Sequence, residues 1–161
     1  MKHWMSIALA ALLFCSITLA AQQFHTRLSA AEKAHILDSS YTQVRNTDAM
    51  PANVKQAFAK ITGEPSFALA NPGQKYQAAD VVVDRELPRR RLVFAGVHGD
   101  EWFVQYEVGG IGRYYCVLLF NVNPRKPLFV WGGAGVNGAK SLDHLRQMVA
   151  AGDFSDKEQS W

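Results

Sequence analysis

The chain has 161 residues, enough for one ordinary domain with a core of its own. Its 17 basic and 14 acidic residues give a net charge of +3, too mild a balance to point to a nucleic-acid partner. Its two cysteines, Cys15 and Cys116, lie far apart and exclude a disulfide-rich scaffold.

Lys2 and His3 form a short positive start, and Met5 to Ala21 carries no charge. Ile7, Leu9, Leu12, Leu13, Phe14, Ile17 and Leu19 make that run apolar, and it ends in the small residues Ala20-Ala21. Charge, apolar stretch and small residues in that order predict a cleavable secretory signal, residues 1–21, and a protein exported to the periplasm or the exterior. A membrane span needs roughly 20 apolar residues, so a retained anchor is the alternative. Lipidation of Cys15 is a third option, opposed by the bulky Phe14 just before it. With the signal removed, Cys116 is the one remaining cysteine, so the mature chain has no internal disulfide. In a strand such a residue reads as a small buried apolar group, with a reactive thiol or an intermolecular bridge as the minority reading. Residues 22–27 read as a flexible leader, 28–152 as a single domain, and 153–161 as a polar tail in which Phe154 and Trp161 could pack.

A first helix is expected from Ser29, where Ser29-Ala-Ala-Glu32 has the spacing of a reciprocal capping box. Ala34, Leu37, Tyr41 and Val44 would line its inner face until Asn46-Thr47-Asp48 breaks it. Pro51 opens a second helix with Val54, Ala57, Phe58 and Ile61 inward, and Gly63 stops it. The two predict a helical hairpin. Glu64-Pro65 and Asn71-Pro72-Gly73-Gln74 are turns, with a short extended piece at Phe67–Ala70 between them. Val81-Val82-Val83 predicts a strand over Ala78–Asp84.

Four further strands are predicted as an antiparallel meander: Arg91–Val97, Trp102–Val108, Arg113–Asn121 and Leu128–Trp131. The turns are His98-Gly99-Asp100-Glu101, Gly109-Gly110-Ile111-Gly112 and Asn123-Pro124-Arg125-Lys126-Pro127, short enough to force antiparallel neighbours. Gly132–Gly135 reads as a flexible exit, and a last helix runs from Ser141 to Ala151 with Gly152 ending it. The fold class is therefore α+β, with a helical hairpin, a four-stranded meander and a C-terminal helix, the helices covering one sheet face.

Tight turns at Gly99-Asp100 and Gly110-Ile111 would place Val93, Ala95, Val97, Trp102, Val104, Tyr106, Tyr115, Val117 and Leu119 on the helix-covered face. The other face would gather Gln105, Glu107, Tyr114 and Cys116 into one polar patch, a candidate ligand groove on an otherwise half-exposed surface. A one-residue slip in either turn exchanges the faces.

For chemistry, His98, Asp100 and Glu101 collect an imidazole and two carboxylates at one turn, a candidate metal or acid–base site, although polar loop tips are ordinary. His25, His35 and His144 are scattered singly. The glycines at 132–138 lack the Gly-Lys-Ser/Thr ending of a phosphate loop, and no Gly-x-Ser-x-Gly elbow occurs. Arg89-Arg90-Arg91 reads as a solvated approach to a strand, with Arg91 leaning on tyrosine or valine; contact with anionic lipid or an acidic partner is the alternative. No cofactor is expected. The function read from these residues is an exported, non-catalytic binding or structural domain for a small molecule or a protein. An enzyme built on the His98–Glu101 turn is the alternative, and homodimerisation through the open sheet face or the Leu128–Trp131 edge is a third reading.

Overall fold

The structure is a computed structural model that describes residues 27–156 except Ser39, Val83 and Pro127. The predicted signal, most of the leader and Trp161 lie outside the described residues. Within them the fold is α+β: three helices and one five-stranded antiparallel sheet. The elements are α1 (Ala30–Asp38), β1 (Thr42–Val44), a 3-10 turn (Thr47–Ala49), α2 (Ala52–Ile61), β2 (Arg90–His98), β3 (Glu101–Val108), β4 (Tyr114–Asn121), β5 (Phe129–Gly135) and α3 (Leu142–Ala151). The strands follow one another in the order β1-β2-β3-β4-β5. No helix among the described residues is long and apolar enough to cross a membrane.

The capping box at Ser29 forms as its spacing requires. The Glu32 amide donates to Ser29 Oγ at 3.2 Å, and the Ser29 amide donates to Glu32 Oε2 at 2.7 Å. The helix it starts is shorter than expected. α1 ends at Asp38 and buries Ile36, while Tyr41 and Val44 belong to the extended segment that becomes β1. Threonine and valine suit a pleated edge better than a third helical turn. β1 pairs with β2 through Thr42↔Val97, Gln43↔Gly96 and Val44↔Ala95, so the sheet has five strands and not four. With a strand inserted between α1 and α2, the helical hairpin does not form.

The two helices instead lie on opposite faces. α2, with Met50, Leu69 and Phe67, covers Leu92, Ala95, Trp102, Val104, Tyr106, Val108, Cys116, Leu118 and Phe120. α1 and α3, with Leu28, Tyr41, Ala139 and Phe154, cover Phe94, Phe103, Val117, Leu119 and Trp131. The sheet is thus a middle layer between two apolar cores, which explains why β3 and β4 are buried along nearly their whole length. α3 has the expected ends: Ser141 Oγ accepts from the His144 amide, and Gly152 takes a left-handed φ of 78°.

The register differs from the expected one at two points. The first turn is tight, with His98↔Glu101 and Val97↔Trp102 paired around Gly99 at φ 55°. A bulge between Leu92 and Phe94 then puts Arg91 opposite Glu107 and turns Val93 toward the α3 side. The second turn is open, running from Gly109 to Arg113, with positive φ at Gly110 and Gly112. Val108 pairs with Tyr114 and Tyr106 with Cys116, one residue away from the expected partners. Tyr115, Val117 and Leu119 therefore leave the face that holds Val104 and Tyr106.

Two other expectations are corrected. Gly132–Gly135 is ordered strand within β5, and its edge is partly closed by Ser155, which exchanges backbone hydrogen bonds with Ala134 at 2.9 and 2.7 Å. The described residues between 78 and 84 form no strand: Val81 and Val82 are 72% and 60% exposed in a loop tied back by the Gln77 side chain, which donates to the carbonyls of Ala79 and Val81.

Candidate functional site

The slip in register divides the expected polar patch. Tyr114 and Cys116 face α2, where Cys116 is buried beside Tyr106. Burial, the largest influence, lifts the Cys116 thiol to about 12 against the lowering effects of Tyr106 and Arg90. That thiol is no nucleophile at neutral pH. Gln105 and Glu107 project from the opposite face, in consecutive register rows: Phe94–Gln105–Val117, then Arg91–Glu107–Tyr115.

Glu107 is the centre of what does assemble there. Its carboxylate is buried, and Arg91 reaches it through Nε and Nη2. The Arg113 Nε lies 3.9 Å from the other carboxylate oxygen. Arg91 also stacks over the Tyr76 ring, 4.4 Å from its centroid, so the predicted lean on an aromatic is real and its partner comes from the 64–89 connection. Burial first, and then the negative charge of Glu107, raise the Tyr76 pKa. Contact with Tyr115, then Tyr76 and Glu107, holds the Arg113 guanidinium further in its charged form. Arg91, Glu107, Val93 and Tyr115 form the floor of an open cleft of about 330 Å³, with the Pro72-Gly73 turn at its rim.

One register row along the same sheet face sits an unsatisfied amide. Gln105 is fully buried, and neither its Nε2 nor its Oε1 has a hydrogen-bond partner among the described residues. A buried unpaired amide costs about 1–3 kcal/mol, so a position that keeps one calls for a reason.

The His98–Glu101 turn is arranged otherwise. His98 Nδ1 hydrogen-bonds the Ser40 carbonyl at 2.8 Å. Asp100 accepts from Asn123 Nδ2 at 3.0 Å. Glu101 Oε2 meets His35 Nε2 at 2.6 Å and the Tyr41 hydroxyl at 3.1 Å. His98 and Glu101 thus both tie the hairpin to the segment from α1 to β1, while Asp100 ties it to the β4–β5 connection. Among the described residues, no group of three or more His, Cys, Asp or Glu is placed to hold a metal ion.

Arg91, Arg113, Tyr76 and Tyr115 were not singled out from the sequence as members of a site. The bulge and the five-strand register bring them to Glu107, and neither leaves a residue pattern that periodicity can read. The fold is a three-layer α/β/α arrangement around a meander, and the chain matches no known protein family, no curated protein and no solved structure.

Proposed function

We propose that this is an exported, non-catalytic binding domain whose small-molecule ligand occupies the cleft over Arg91, Glu107 and Tyr115. The observation that carries the reading is the open cleft itself, where the buried Glu107 carboxylate and its Arg91 partner meet the Tyr115 ring. Ligand sites combine an apolar wall with a few fixed polar groups, and Tyr115 and Val93 beside the Arg91–Glu107 pair supply that mixture. Export is supported by the order of charge, apolar run and small residues in Met1–Ala21.

The test of binding is a set of heteronuclear NMR titrations of the mature protein with charged and neutral small molecules. A ligand of the cleft shifts the backbone amides of residues 105–107 and 113–115 and leaves those of α2 in place. If no compound perturbs that set, the reading fails. Export is tested by the intact mass of protein recovered outside the cytoplasm, which begins at Ala21 or Gln22 if the signal is cleaved. A mass that retains Met1 overturns it.

A further inference from the structure

The cleft over Glu107 does not stand alone. Tyr115 is also a wall of a second, adjoining cleft of about 550 Å³, lined as well by Arg113, Asn137, Lys140, His144 and Asp153. Tyr115 therefore forms a partition between the two, and its ring is held in place by Gly138, where an added Cβ would lie 2.4 Å from the ring.

The charges around this partition are unequal. Arg91 is matched by Glu107 in a close pair. Arg113 reaches the same carboxylate only at 3.9 Å, and its side chain is 56% exposed. Lys140 in the second cleft is exposed and forms no ion pair among the described residues. Among the described residues, Asp153 is the one carboxylate that lines the second cleft, set against Arg113 and Lys140. The described side chains that line this cleft thus include two cations, Arg113 and Lys140, against one carboxylate.

Resting on the binding reading above, we propose that the ligand is a small anion carrying a carboxylate or a phosphate group. Arg113 and Lys140 hold its charge, and Tyr115 packs against its carbon frame. Guanidinium and ammonium together suit this chemistry, because the first offers a planar fork and the second a compact point charge.

The experiment titrates the mature protein with inorganic phosphate, citrate, maltose and putrescine, following the amides of residues 105–107, 113–115 and 137–140. Phosphate or citrate is expected to shift these amides, and which of the two binds more tightly identifies the group recognised. The double variant Arg113→Gln/Lys140→Gln is expected to weaken that binding by tenfold or more. Arg125→Gln, an exposed arginine on the β4–β5 connection, leaves it unchanged. Raising salt from about 20 mM to about 500 mM weakens it as well. Because Arg113 and Lys140 are exposed, the double variant retains the fold, which its amide spectrum reports directly. Anion shifts that survive the double variant, or that fall equally with Arg125→Gln, overturn the proposal. Shifts by maltose or putrescine with none by phosphate or citrate overturn it while leaving the cleft as a binding site. Silence from all four ligands counts against both.

Discussion

Glu107 and Arg91 face each other across β2 and β3, and their side chains close into an ion pair whose carboxylate is 5% exposed and whose guanidinium is 31% exposed. The asymmetry sets the consequence of breaking it. Replacing Glu107 with Gln removes the buried charge but keeps the volume, and leaves Arg91 able to turn toward water. The cost is therefore below that of a fully buried pair, about 1–3 kcal/mol. Urea denaturation of Glu107→Gln checks this. A loss above that range would mean that Arg91 cannot escape, and no loss would mean that the pair contributes only position.

The same pair marks where sequence and structure part. The capping box at Ser29, the start of α2 at Pro51, the tight turn at Gly99 and the end of α3 at Gly152 were all legible, because each depends on residues within a few positions. The α+β class was legible from periodicity. The bulge at Leu92/Phe94 and the open turn from Gly109 to Arg113 were not, because each is settled by contacts far away in sequence. Gly109 shows the reason: a Cβ there would lie 1.9 Å from the Gln77 carbonyl, so the turn is shaped by the loop packed on it. One residue of slip then separated Tyr114 and Cys116 from Gln105 and Glu107. Gln105 and Glu107 stay on one face, and the bulge and shifted register bring Arg91, Arg113, Tyr76 and Tyr115 to Glu107.

The α2 side of the sheet predicts a loss of stability in alkali. The Cys116 pKa rises from 9.0 to about 12 in the folded protein, and burial also raises those of Tyr106 and Tyr114. In each case the folded state keeps a proton that the unfolded chain releases. Their contribution is complete below the unfolded pKa and is lost as pH rises toward the folded one. The denaturation midpoint should hold from neutral pH to about 9 and then fall steadily. Cys116→Ala should flatten the first part of that fall while the tyrosines preserve the rest. The intact protein should also resist a thiol reagent at about pH 8 until denaturant is added. Rapid modification of the native protein would show that Cys116 is reached without unfolding.

Gly138 predicts a link between stability and the candidate site. Gly138→Ala sets a methyl group 2.4 Å from Tyr115 Cδ1, so either the 136–139 loop or the Tyr115 ring must move. Overpacking of this kind costs about 1–3 kcal/mol. Since Tyr115 divides the two clefts, the variant should also shift the amides of Arg113 to Tyr115, where a purely local strain would stay within the loop. Calorimetry gives the first quantity and an amide spectrum the second.

The hairpin turn predicts where the fold opens first. Glu101 Oε2 is the shared acceptor of His35 on α1 and of Tyr41 just before β1, and the His98 ring lies edge-on to Tyr41 at 5.7 Å. Burial and then the Glu101 charge raise the Tyr41 pKa, so its hydroxyl is a lasting donor in this group. α1 buries Ile36, whereas α3 buries Leu145, Met148 and Val149, so α1 depends more heavily on its polar tether. Glu101→Ala should therefore speed hydrogen exchange at the amides of residues 33–38 and leave those of α3 and β4 at the wild-type rate. The loss in global stability should stay near 1 kcal/mol, because Glu101 and His35 are both partly exposed. Faster exchange spread evenly over both helices would show that α1 and α3 open together, and the Glu101 tether would then serve the whole layer and not α1 alone.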